Sequence, residues 1–166
     1  MMTRLLEFVA VFPPEMATLF LAALPITELR AALPVALFVF KLPVLTAYVS
    51  AVVGNMIPLV ALYLCFPSFM KWVLPHIPWA KKRLDQWLDA LEKKYGEAYS
   101  KWGAFFLFLF VAVPLPGTGV WTATVLALFF HIKRELAIPC IMGGVLVAGL
   151  LVLAFSQGVF QGLKFL

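Results

Sequence analysis

Glu28 and Arg30 stand two residues apart in the stretch Pro25-Ile-Thr-Glu-Leu-Arg-Ala-Ala-Leu-Pro34, with apolar sequence on both sides. An isolated charge within a bilayer is costly, so ionisable residues in such surroundings pair or face water. By default they mark a substrate or ion path. Three structural roles compete with that one. The two residues could form an ion pair, Thr27 or Glu28 could cap a helix starting near Leu29, or the stretch could be a loop at the membrane interface. A carboxyl that alternates between dry and wet, or between paired and unpaired with Arg30, can load and release a proton.

A second stretch, Pro114-Leu-Pro-Gly-Thr-Gly-Val-Trp121, carries breakers and no charge. Pro114 and Pro116 remove backbone donors, while Gly117 and Gly119 permit unusual dihedrals. The freed amides around Gly117–Val120, at the start of a helix, form a candidate anion site. Thr118 adds a hydroxyl, and Trp121 an aromatic face for a cation or amphiphile. The competing reading is a tight turn packed on the first stretch, with glycine for close approach. Asn55, between Gly54 and Pro58, is a further candidate, and an interhelical hydrogen bond beside a kink is its alternative. The substrate- or ion-binding candidates are therefore Glu28, Arg30, Asn55, Gly117, Thr118, Gly119 and Trp121. Pro25, Pro34, Pro114 and Pro116 shape the tips. No nucleophile–base pair, phosphate loop or dinucleotide fingerprint is present, and no His/Cys/Asp/Glu cluster has metal-ligand spacing. Catalysis, cofactor and metal are not expected.

The elements that position these residues follow from composition and period. The chain has 166 residues, 64% of them hydrophobic and 13% charged, against about 45–50% and about 25% in soluble domains. This predicts one integral membrane domain over 1–166. Its net charge of +5 reflects basic connectors required by topology, not nucleic-acid binding. Cys65 and Cys140 fall in apolar segments and read as small core residues. Residues 4–12 read as an interfacial lead-in, not a cleaved signal.

Two segments, 43–66 and 135–155, are long enough to cross a bilayer, which takes about 20 residues. Four shorter arms, 13–24, 31–42, 102–113 and 119–130, hold about 12 residues each, or roughly 18 Å as helix. That falls well short of a core of about 30 Å. Such arms, broken by proline and glycine, predict hairpins that enter the membrane and turn back. Broken backbone at that depth is tolerated only where protein or water covers it. Residues 78–101 are polar with helical period: Leu84, Trp87, Leu88, Leu91, Tyr95 and Ala98 form an apolar stripe, predicting a helix on the membrane surface.

At an offset of 89 residues Pro25 aligns with Pro114 and Gly54 with Gly143. Arm, tip, arm and span recur in one order, repeat 1 over 13–66 and repeat 2 over 102–157. A hairpin that returns to its own side, followed by a span that crosses, makes the second repeat enter from the opposite face. The expected fold is all-α, two inverted repeats joined by an amphipathic surface helix. Lys71, Lys81, Lys82, Arg83, Lys93, Lys94, Lys101, Lys133 and Arg134 lie on the connector side, against Arg4, Lys41 and Lys164 on the other. That imbalance predicts connector 78–101 in the cytoplasm.

Glu28-Leu-Arg-Ala-Ala-Leu-Pro34, taken with Val113-Pro-Leu-Pro-Gly-Thr-Gly-Val-Trp121, resembles the small multidrug export protein family, related to the DedA/VTT membrane-protein superfamily. The resemblance spans nearly the whole chain. It implies a paired re-entrant-hairpin fold in a prokaryotic plasma membrane, proton-dependent transport, and in DedA-like relatives the flipping or scrambling of lipids and lipid carriers. It reaches Glu28, Arg30 and Pro34 in the first tip and Pro114 to Gly119 in the second. Many DedA proteins carry arginine in the second motif, where this chain reads Gly117-Thr-Gly.

The reading that follows is an ion-coupled, proton-driven secondary transporter exporting a small amphiphilic or drug-like molecule. The alternatives are a lipid flippase or scramblase and a structural or assembly protein without transport. The bilayer, a small-molecule or lipid substrate and a second copy of the chain in a homodimer are the expected partners.

Overall fold

The computed structural model describes residues 12–73, 76–113, 115 and 117–164, and every regular element among them is helical. Prolines set most of the boundaries. Helix α1 (Pro14–Ala23) starts on a proline, whose missing amide needs no partner in a first turn. It stops because Pro25 holds Leu24 in extended backbone, φ −75° and ψ 142°. Helix α5 (Ala104–Ala112) ends the same way at Val113, φ −79° and ψ 116°, ahead of Pro114.

Helix α2 (Glu28–Phe38) begins earlier than the expected second arm. The first tip is therefore only Pro25–Thr27, and Pro34 lies inside α2 instead of closing the turn. Proline there deletes one bond to the Arg30 carbonyl. Burial of Leu29, Ala32, Leu33 and Ala36 in the core carries the helix through it. The long apolar helices are α3 (Val44–Ser68), with Pro58 and Pro67 inside and one π-helical turn after it, and α7 (Arg134–Lys164). The connector is helix α4 (Pro78–Trp102), divided from α5 by Gly103 at φ 54°. Helix α6 (Val120–Phe129) completes the second hairpin.

Helices α1, α2, α5 and α6 hold 9 to 11 residues, about half the length needed to cross a bilayer core of about 30 Å. Among the described residues two helices are long and apolar enough to cross, Val44–Ser68 and Arg134–Gly158. Only 28% and 39% of their apolar windows are buried in the protein. The remainder turns Leu45, Leu64, Leu150 and Phe155 outward. Apolar surface on that scale suits lipid and not water.

Small residues hold the bundle together. Ala17, Ala22, Ala32, Ala36, Ala47 and Ala51 are fully buried or nearly so. Gly54 of α3 rests on the Leu19 carbonyl and Ala22 of α1, and Gly144 of α7 rests on the Phe108 carbonyl and Val111 of α5. Neither site has room for a Cβ, the close backbone approach that small residues permit between apolar helices. The hairpins also cross over: α2 packs on α7, and α6 packs on α3.

The two halves share more than element order. Helix starts 14 and 44 recur at 104 and 134, and Lys41 and His131, each just beyond a hairpin, both have φ 53°. The expected partner of Gly54 was Gly143. The structure puts Gly144 in the equivalent contact, while Gly143 faces the Phe108 ring. The lead-in over 4–12 lies outside the described residues except for Phe12, as do Pro114 and Pro116. Cys65 and Cys140 are both free thiols, Cys65 exposed and Cys140 half-buried.

Gly54→Leu should split α1 from α3. We expect about 1–3 kcal/mol of lost stability, read as a lower melting temperature in detergent. An unchanged melting curve would show that the contact does not hold the helices.

Candidate functional site

The first tip closes on itself before it meets the second. The Glu28 amide donates to the Leu24 carbonyl at 3.0 Å, and the Thr27 hydroxyl donates to the Leu21 carbonyl. Glu28 is held at φ 45°, a left-handed conformation that a non-glycine residue seldom adopts and that gathers at functional sites. The competing role of Thr27 or Glu28 as a cap on α2 is not met: no side-chain bond closes the N-terminus of that helix.

The Glu28 carboxylate goes to the other hairpin. It accepts the backbone N–H of Trp121, in the first turn of α6, and lies on the α-carbon of Gly119. A Cβ at Gly119 would overlap the carboxylate. The backbone of Gly119 is ordinary, φ −85° and ψ −174°, so glycine is needed there for space. Gly117, at φ 81°, is needed for its dihedral. The candidate anion site at Gly117–Val120 is thus occupied from within, by a carboxylate placed where a helix N-terminus favours negative charge.

Arg30 does the converse. Its guanidinium donates to the carbonyls of Leu115, Val111 (3.5 Å), Val113 (3.4 Å) and Thr118 (3.1 Å), and to the Thr118 hydroxyl (3.0 Å). These groups surround the C-terminal end of α5, where free carbonyls favour positive charge. The competing Glu28–Arg30 ion pair gives way to two separate caps; among the described residues the ion pair within 4 Å is Arg134–Glu135, on the surface. Trp121 returns the favour to the first hairpin. Its indole N–H donates to the Ala23 carbonyl at the end of α1, 3.1 Å away.

A cavity of about 570 Å³ opens where the tips meet. Glu28, Arg30, Gly117, Trp121 and Pro25 line it, and so does Trp87 from the connector. Glu28 is only 9% exposed, and Thr118 and Gly119 are buried beside it. Asn55 is not brought there. It is buried in α3 with its Oδ1 lacking a partner. The sequence places Trp87 in an apolar stripe; spacing marks the stripe but not which of its residues meets a tip. Side chains of Leu88, Leu91, Tyr95 and Ala98, from the same stripe, lie outside the described residues. Among the described residues no group of three metal-ligating side chains converges.

The sequence model of the family described as "Putative small multi-drug export protein" matches residues 28–151. The chain belongs to this family. The match begins at the glutamate of the first tip and runs beyond the second tip into α7. The family is described by export and not by an enzyme class, and two outward-facing apolar helices agree with a membrane protein. No curated protein and no solved structure matches the chain.

Removing the Arg30 guanidinium strands several carbonyls at once. Arg30→Ala should cost about 2 kcal/mol or more, given about 1.5–3 kcal/mol for one bond to a charged group. Arg30→Lys, a point charge without the planar fork, should recover only part of it. Thermal unfolding in detergent reads both, and full recovery with lysine would show that charge alone suffices.

Proposed function

We propose that the chain is a secondary transporter that exports a small amphiphilic molecule, with the cavity between the tips as its binding site and protons as the coupling ion. The observation that carries this reading is the cavity itself. It is of a size that takes drug-like ligands, and its walls include a buried carboxylate that also caps a helix of the opposite hairpin. A charge-assisted bond is about twice as strong as a neutral one. Protonation of Glu28 therefore weakens the cap on α6 and loosens one tip from the other, while deprotonation restores it. A tip contact with two strengths is the kind of two-state element that alternating access requires.

The same reading takes the four short helices as re-entrant and the two halves as inverted, meeting near the midplane. The recurrence of helix starts and of the two glycine contacts supports it, as does the resemblance to the DedA/VTT superfamily. The basic residues of the connector favour the cytoplasmic side of a prokaryotic plasma membrane. A homodimer would cover part of the outward apolar surface of α3 and α7.

A second reading, a lipid flippase or scramblase, draws on another cavity. About 350 Å³ of mostly apolar space lies between α3 and α7, with the Tyr63 hydroxyl near it lacking a partner and Arg134 at its rim.

Flux into proteoliposomes, with and without an imposed proton gradient, separates these. Organic cations and labelled lipids are offered side by side. The transporter reading expects gradient-dependent flux that falls about tenfold, the equivalent of about 1.4 kcal/mol, in Glu28→Gln. Flux that ignores both the gradient and Glu28→Gln would sink it. Lipid movement without a gradient would favour the scramblase, and no movement of either would favour a structural role.

A further inference from the structure

The second tip, in isolation, has the makings of an anion site. Folding uses them up. The Arg30 guanidinium is committed to carbonyls of the α5 end and to Thr118. The Trp121 backbone N–H is committed to Glu28, the Trp121 indole N–H to Ala23, and the Thr27 hydroxyl to Leu21. These donors are thus directed into the protein.

Arg30 also lines the cavity, with its guanidinium nitrogens bonded to the second tip; the other groups on that side are of the opposite kind. A carboxylate has about four lone-pair positions, and the Glu28 carboxylate accepts one backbone N–H while lining the cavity. Two indole rings line the same space from different elements, Trp121 from α6 and Trp87 from α4. The Trp121 ring is pinned by its bond to Ala23. Trp87 is 41% exposed and stands on the connector, whose packing among the described helices is against α5. It lies outside the buried core, so a change in its position would not open that core. Two aromatic faces and one carboxylate, in a space of about 570 Å³, are the chemistry that recognises an organic cation.

We infer that the tip cavity binds a bulky organic monocation, held between the indole faces of Trp121 and Trp87 and beside the Glu28 carboxylate, with Trp87 as the movable wall. This deepens the transport reading and rests on it for the cavity's role in export, though not for the binding chemistry.

Tetraphenylphosphonium and tetraphenylborate test it, because they share size and shape and differ in the sign of charge. Both are titrated by calorimetry into the full-length protein in uncharged detergent. The phosphonium should bind and the borate should bind at least about tenfold more weakly. Trp87→Ala should weaken phosphonium binding about 2- to 30-fold, the span of one cation–π contact, and Trp87→Phe should restore most of it. Trp87 is substantially exposed, so its loss should leave the melting temperature unchanged. Equal affinity for the two ions, no binding of either, or a Trp87→Ala variant that binds as well as the parent overturns the assignment. Phosphonium that binds this way but does not move across vesicles would overturn transport and leave the site standing. Phosphonium that moves although Trp87→Ala keeps full affinity would do the reverse.

Discussion

A helix that stops where apolar side chains surround it leaves carbonyls at one end and amides at the other with no water to satisfy them. This chain has two such interruptions, and the residues of each repair it only in part. The first tip ends α1 and starts α2 without a side-chain cap on α2. The second has no charged side chain among its residues. Each is completed by the other. Arg30 takes the carbonyls at the end of α5, Glu28 takes an amide at the start of α6, and Trp121 takes the last carbonyl of α1. The geometry of the site is a by-product of this exchange, since the cavity lies where the two sets of caps meet.

The exchange explains which small residues the fold needs and where. Gly119 has no Cβ because a carboxylate rests on its α-carbon, and Gly54 and Gly144 have none because a neighbouring helix backbone does. With hairpin and span drawn close at both glycines, the hairpins can also lean across to the opposite span, α2 on α7 and α6 on α3. A structural role and a functional role for Glu28 are therefore not exclusive. A carboxylate that holds a helix end with its charge also changes its grip when it gains a proton.

Much of the architecture was legible in the sequence because its signals are local. Pro14, Pro25, Pro43, Pro78 and Pro114 stand at or beside helix boundaries, and two long apolar runs are the two long apolar helices. The tip residues came together as their types implied. Pro34 misled because proline inside a helix and proline closing a turn read alike in one dimension, and tertiary packing of Leu29 and Leu33 decided between them. The partners of Glu28 and Arg30 were illegible for a different reason. They are backbone groups, which carry no signature in side-chain sequence. Trp87 was marked only as apolar, because period places a residue on a stripe and says nothing of which neighbour the stripe's first turns will meet. Asn55, chosen as a polar residue in an apolar run, lies away from the cavity.

The separation between Arg30 and its acceptors, 81 to 88 residues, has a bearing on how the protein is made. When the first hairpin leaves the ribosome, its partners in the second tip do not yet exist. Its guanidinium and carboxylate must be kept hydrated, or sheltered by the insertion machinery, while a whole span and the connector are synthesised. Only when residues near 111–121 emerge can both tips settle. A chain truncated before the second tip would lack the partners of Glu28 and Arg30 and keep a charged, open turn.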